Sequence, residues 1–348
     1  MRMCSAFTRA GHDLELIIPL FTKISPPSDD DLFEYYGCTD RFTVHHQRLR
    51  FASGIEFAIK AALRARRRHS DIVYSRCIRS CGFADLLGLS VVHEAHGPVE
   101  AYSKSGNFVF RQLARFSRFR RLVTINGALA QYYITMFPRL LPLLYVAPSG
   151  TDPVKQPIHP VQPVPGQQLR VGYVGSMFPG KGMELIAELA MRTDYTFVVA
   201  GGDAESIAYW KQKVEGRVEF LGHLPNRDVD ALINTFDVAL APYLENVGGL
   251  SVTFNLARWM SPLKLFEYMA HARAILVSDL PAIREVVQND KEVLLCNPRD
   301  IEDWILALDR LAQDPGLREK LGRNALSTFL NRFTWDQRAA GILEAIAA

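Results

Sequence analysis

The 348-residue chain lacks any uninterrupted apolar run near the about 20 residues of a membrane-spanning helix. Its first residues, MRMCSAFTRAGHD, hold no apolar core of a secretory signal, so a cytoplasmic protein is expected. Cysteine is scarce: Cys4, Cys38, Cys77, Cys81 and Cys296 are odd in number and scattered. That excludes a disulfide framework and points to free thiols in a reducing compartment. Cys77 and Cys81 stand four apart with no second ligand pair, which argues against a zinc site. No recognition motif accompanies the basic residues, so a nucleic-acid partner is not expected.

What is present is ordinary for a globular protein: 48% hydrophobic and 22% charged residues. The length suffices for two domains with full cores. The net charge of +3 hides an asymmetry. Residues 1–150 carry 20 Lys+Arg against 12 Asp+Glu, a balance of 20 − 12 = +8; the totals of 40 and 37 leave 20 − 25 = −5 for the rest. A basic half beside an acidic half implies two units with different partners.

Residues 151–168, TDPVKQPIHPVQPVPGQQ, are rich in proline and without periodicity, and read as a semi-rigid linker. On its carboxyl side, apolar strands (LRVGYVGS, YTFVVAGG, VEFLGHL, DVALAPY, AILVSD, EVLLC) alternate with amphipathic helices. Continuous apolar strands between helices imply a parallel sheet covered on both faces, with ligands beyond the carboxyl ends of its strands. Residues 1–150 follow the same grammar through HDLELIIP, FTVHH, DIVYSR, LSVVHEAH, RLVTIN and LLYVAP. They open on a helix, MRMCSAFTRAG, capped by Gly11, where a doubly wound half opens on a strand and a glycine-bearing loop. The expected organisation is an amino-terminal Rossmann-like domain (1–150) lacking its first strand, the linker, a second such domain (169–330), and a terminal helix (331–348) packing on the first. Two such halves flank a cleft, the usual place for a ligand.

Three stretches carry chemistry. In VGSMFPGKGME (174–184) a strand ends, a Pro/Gly loop follows and a helix starts after Lys181-Gly182. Glycines admit an anion to the backbone, helix-start N–H groups point at it, and lysine adds a point charge; the alternative is a plain turn with a solvated lysine. In SPLKLFEYMAHARAILVSDLPAIREVV (261–287), Ser261, Pro262 and Leu263 open a helix bearing Lys264 and Glu267. The alternative there is an exposed i,i+3 ion pair worth tenths of a kcal/mol. In VVHEAHGPVE (91–100), Glu94 and His96 sit at a strand's carboxyl end. His93 and His96 are not read as a metal pair, because residues three apart on a strand face opposite ways. A fourth feature, FRQLARFSRFRRL (110–122) with RARRRH (64–69), reads either as a basic amphipathic helix for an anionic membrane surface or as a core stripe with a solvated face.

These stretches, in this order, resemble family 4 (group 1) retaining glycosyltransferases of the two-Rossmann GT-B fold, in the subgroup with S-P-x-K-x-x-E. The resemblance implies transfer of a sugar from a nucleotide-diphosphate sugar of UDP or GDP type to a glycan, lipid-linked or small-molecule hydroxyl. It implies Lys181, Gly175, Ser176 and Gly182 at the donor diphosphate, with Ser261, Pro262, Leu263 and Lys264. Glu267 corresponds to the second glutamate of the family's E-x7-E and implies a ribose contact; Trp259 stands at the first. His223 and Leu224 correspond to the base-contacting turn, and Gly248 and Gly249 to the loop facing the sugar. His96 corresponds to a histidine near sugar and acceptor, with Glu94 beside it. Similar enzymes need no metal or other cofactor, in line with the lack of a convincing Asp-x-Asp or histidine cluster. Ser176 departs from the family, standing where many members carry arginine; a nucleotide-sugar 2-epimerase, which shares the architecture, stays open, and the missing first strand and Trp259 leave open a non-catalytic partner subunit.

Overall fold

The computed structural model describes residues 1–21, 25–51, 53–115, 118–154, 168–246 and 257–348. Most of the expected linker and the sugar-facing Gly248 and Gly249 therefore lie outside the described residues. The chain divides into two compact units, residues 1–148 with 335–348, and residues 149–334.

In the first unit, α1 (Arg2–Arg9) is followed by a turn in which Gly11 takes a φ of +89°. β1 (Glu15–Phe21) pairs in parallel with β2 (Thr43–Leu49), Glu15 opposite Thr43. β3 (Ile72–Ser75), β4 (Ser90–Ala95), β5 (Phe119–Thr124) and β6 (Leu144–Val146) form a second parallel sheet in that order. Helices α2 (Asp29–Tyr35), α3 (Gly54–Arg67), α4 (Ile78–Leu86), α5 (Lys104–Leu113) and α6 (Gly127–Met136) connect them. Among the described residues, no strand lies against the outer edge of β1 or of β3.

One expectation fails here. The stretch 110–122 is not a single amphipathic helix: α5 ends at Leu113 and β5 begins at Phe119. Phe110, Leu113, Phe119 and Leu122 are all buried. The helical spacing of its aromatics ran across a turn into a strand whose apolar residues face the core.

The second unit is a six-stranded parallel sheet of β7 (Arg170–Val174), β8 (Thr196–Ala200), β9 (Val218–Gly222), β10 (Val238–Ala241), β11 (Ala274–Ser278) and β12 (Leu294–Cys296). The order is β12-β11-β10-β7-β8-β9, the doubly wound 3-2-1-4-5-6 arrangement read from the other edge. β10 and β11 are buried along their whole length, as strands covered on both faces must be. Helices α7 (Met183–Arg192), α8 (Ala204–Lys213), α9 (Asn226–Ile233), α10 (Leu263–Ala270), α11 (Pro281–Arg284), α12 (Ile301–Gln313) and α13 (Pro315–Arg332) complete the unit. The strand order reverses between β7 and β10, and a ligand is expected outside their carboxyl ends. The last helix, α14 (Trp335–Ala347), returns to the first unit and packs on α1.

Candidate functional site

The reversal point of the second sheet gathers the sequence-predicted lysines. β7 runs out through Tyr173 to Gly175 and Ser176, and the following loop turns at Lys181, whose N–H donates to the Phe178 carbonyl at 3.0 Å. Gly182 then caps α7 with a φ of +94°; a Cβ there would lie 1.9 Å from the Pro242 carbonyl oxygen. Only glycine fits that approach between the two loops. At Gly175 a Cβ would come 3.0 Å from Lys264 Nζ.

Lys264 lies in the first turn of α10, whose N–H groups give that end a positive potential. One turn on, and on the same helical face, buried Tyr268 accepts a hydrogen bond from the Val174 N–H at 2.8 Å. That bond ties α10 to the end of β7 and so fixes Lys264. The Lys264 ammonium is buried, with no hydrogen-bond partner among the described residues. It lies 3.7 Å from the centre of the Tyr173 ring and 5.0 Å from that of Tyr243. Half-buried Lys181 reaches the same Tyr243 ring at 5.5 Å. The exposed i,i+3 ion pair with Glu267 is thus excluded for Lys264, while Glu267 itself is half-buried one turn along the helix.

Burial, and then the charge of Lys181, push the Lys264 ammonium well below the usual lysine range. Burial lowers Lys181 as well. Two desolvated ammoniums share the Tyr243 ring, and among the described residues no carboxylate is hydrogen-bonded to Lys264, so an anion placed between them would be favoured. Pyrophosphate oxygens suit that place chemically: they accept from ammonium and helix-start N–H groups alike.

The other donor-side residues scatter around this centre. Ser261 Oγ accepts from the Ser149 N–H at 2.9 Å, so part of its capacity serves the fold. Pro262 is buried as the cap of α10, and Leu263 is half exposed. His223 is exposed just beyond β9, and Leu224 is half-buried. The carbonyl of Gly222 before them accepts from the Gly201 N–H at 2.6 Å, joining the ends of β8 and β9. Glu245 pairs with Arg299 on the surface. Tyr173 and Tyr243 escaped the sequence reading, since an aromatic at the end of an apolar strand looks like core; their recurrence just before the β7 and β10 loops is the signal that was available.

In the first unit, β4 delivers Glu94 and His96. Glu94 is buried and accepts from His96 Nε2 at 2.5 Å and from the Tyr74 hydroxyl. Arg338 of α14 lies 2.9 Å from the same carboxylate, with its own side chain buried. Burial opposes ionisation of Glu94, but the His96 hydrogen bond and the Arg338 charge outweigh it and hold the carboxyl well below its usual range. Arg76 can only donate, and its Nη2 lies 3.0 Å from His96 Nδ1. The imidazole therefore takes the tautomer with Nε2–H toward Glu94. His93 is a core residue. Its Nδ1–H donates to the Ser75 carbonyl at 3.0 Å, its Nε2 accepts from the Tyr102 hydroxyl at 2.7 Å, and burial drops it to about 4.

Comparison with known proteins follows this geometry. A family model described as "Glycosyl transferases group 1" matches residues 168–314. A glycogen synthase of Mycobacterium tuberculosis is 23% identical, the match covering 99% of this chain and 89% of that protein. Among solved structures, a glycosyltransferase from Rickettsia africae superposes with a TM-score of 0.74 at 14% identity, covering 99% of this chain and 92% of the other. HepE from Anabaena, in complex with UDP and glucose, superposes with a TM-score of 0.73 at 15% identity, covering 99% and 95%. The fold is that of GT-B glycosyltransferases, as the sequence led us to expect.

Proposed function

We propose that this chain is a retaining, metal-independent glycosyltransferase that takes its sugar from a nucleotide-diphosphate donor. The observation that carries the reading is the buried Lys264 ammonium, without a hydrogen-bond partner among the described residues, which shares the Tyr243 ring with Lys181 at the strand reversal. The HepE neighbour, solved with UDP-glucose, supports UDP as the nucleotide over GDP.

The chemistry needs charge stabilisation at the leaving group. As the bond from the anomeric carbon to the phosphate oxygen breaks, the diphosphate gains negative charge. Lys181, Lys264 and the starts of α7 and α10 stabilise it in a desolvated setting, the role a divalent cation would otherwise fill. The acceptor hydroxyl bonds to the same face of the sugar, and its proton passes to the departing phosphate oxygen. Glu267 holds the ribose hydroxyls, and the backbone at His223 and Leu224 reads the base. His96, oriented by Glu94, hydrogen-bonds sugar or acceptor hydroxyls. The acceptor is a glycan or lipid-linked hydroxyl, and the compartment cytoplasmic.

The test is direct. UDP should raise the melting temperature of the protein, because a ligand that binds only the folded state stabilises it. UDP-sugar with a hydroxyl acceptor should yield UDP and an α-linked product in the presence of EDTA. An epimerised nucleotide sugar without acceptor, or no UDP release under any donor and acceptor, would refute the assignment.

A further inference from the structure

Helix α3 distributes its apolar residues against the usual rule. The face it turns to α4 and β2 buries only small side chains, Ala58, Ala61, Ala62 and Ala65. Phe57 is half-buried, but three bulky aliphatic residues point to solvent: Ile55 is 47% exposed, and Ile59 and Leu63 are each 38% exposed. Spaced four apart, they form one stripe along the helix. A helix that needed only a packed core would bury those residues and expose the alanines.

The stripe continues beyond the helix. Phe51, 73% exposed, precedes it in a loop held in place where the Arg50 and Phe51 N–H groups donate to the Glu56 carboxylate at 2.9 and 2.8 Å. At the other end Arg66 donates to the Leu87 carbonyl, and Leu86, the last residue of α4, is 78% exposed. The backbone under both outliers is thus fixed.

Charge completes the pattern. From 54 to 121 the sequence has 13 Lys+Arg and 5 Asp+Glu, a balance of 13 − 5 = +8. On α3, Glu56 is taken up by Lys60, and Arg64 pairs with Glu15. Arg66 and Arg67, both exposed, have no carboxylate partner among the described residues and stand at the end of the stripe.

We infer that the outward face of α3, with Phe51 and Leu86, docks on an anionic lipid membrane. An apolar stripe flanked by uncompensated cations fits the boundary between acyl chains and acidic headgroups. A second copy of the chain is the poorer occupant, because an identical stripe offers Arg66 and Arg67 no free carboxylate, Glu56 being taken up by Lys60. The inference does not depend on the glycosyltransferase reading, and it places the membrane contact on α3 rather than on the 110–122 stretch.

The test is co-sedimentation of the full chain with phosphatidylcholine vesicles carrying about one third phosphatidylglycerol, against pure phosphatidylcholine. The chain should bind the anionic vesicles, and binding should weaken as salt is raised. Ile59→Glu with Leu63→Glu should lower vesicle affinity about tenfold or more, and Arg66→Glu with Arg67→Glu similarly. The melting temperature and its UDP-induced shift should stay unchanged, and Ile59→Ser with Leu63→Ser serves should the glutamate pair disturb folding. Absence of binding, equal binding to neutral vesicles, undiminished binding of the variants, or a solution dimer broken by them would each overturn the inference.

Discussion

The ammonium of Lys264 lies 3.7 Å from the centre of the Tyr173 ring, buried and without a hydrogen bond among the described residues. A cation-π contact returns only about 2 kcal/mol of what desolvation removes. Lys264→Met should therefore leave the unliganded protein as stable as before, or about 1 kcal/mol more stable. It should abolish the UDP-induced rise in melting temperature. Lys181→Ala should slow transfer by about 10²–10³-fold with the fold intact. Thermal melts with and without UDP, beside a UDP-release assay, check both variants.

The same lysine sets a pH dependence. Its folded-state value is pushed well below the ordinary 10.5, so between the two values the unfolded chain binds more protons than the folded one. Stability of the unliganded protein should then rise with pH through that window, up to about 10.5. Lys264→Met should flatten the slope. Bound UDP should also flatten it, by favouring the charged ammonium. Urea midpoints measured across alkaline pH, with no change in m-value, are the readout.

In the first unit, Arg338 and Glu94 are a buried pair, so removing one partner strands the other. Arg338→Met or Glu94→Gln should each cost about 3–5 kcal/mol, and the double variant less than the sum. His96→Ala should cost less, about 1–3 kcal/mol for the hydrogen bond lost at buried Glu94, and should also reduce turnover. A double-mutant cycle by chemical denaturation, with the transfer assay on His96→Ala, separates holding the fold from serving the reaction.

Gly182→Ala should be damaging for a geometric reason. Its φ of +94° is strained for any side chain, and the new Cβ would lie 1.9 Å from the Pro242 carbonyl. Loss of about 2–4 kcal/mol is expected, whereas Gly216→Ala, with nothing within 4 Å and a φ of +81°, should show the conformational cost alone. Comparing the two melts isolates the collision.

The strands were legible because parallel, doubly covered strands read as unbroken apolar runs: DVALAPY and AILVSD became β10 and β11. Lys181, Gly182 and Lys264 were legible because glycine loops and helix starts announce themselves locally. Tyr173 and Tyr243 were hidden, since nothing local distinguishes an aromatic wall from core. Arg338 was hidden because its partner Glu94 is met only when the last helix returns to the first unit. The 110–122 stretch misled because helical spacing survived a turn that no proline or glycine marks.

The unpaired outer edges of β1 and β3 have a mechanical consequence. Each presents a row of backbone donors and acceptors without a neighbouring strand, and such rows recruit other strands or open first. Among the described residues the strands of the second unit form one continuous six-stranded sheet with two edges, β9 and β12, whereas those of the first are split between two smaller sheets with four. Heating should therefore melt the chain in two steps, the first unit before the second. UDP should move only the later step, and concentrated samples should aggregate at the earlier one.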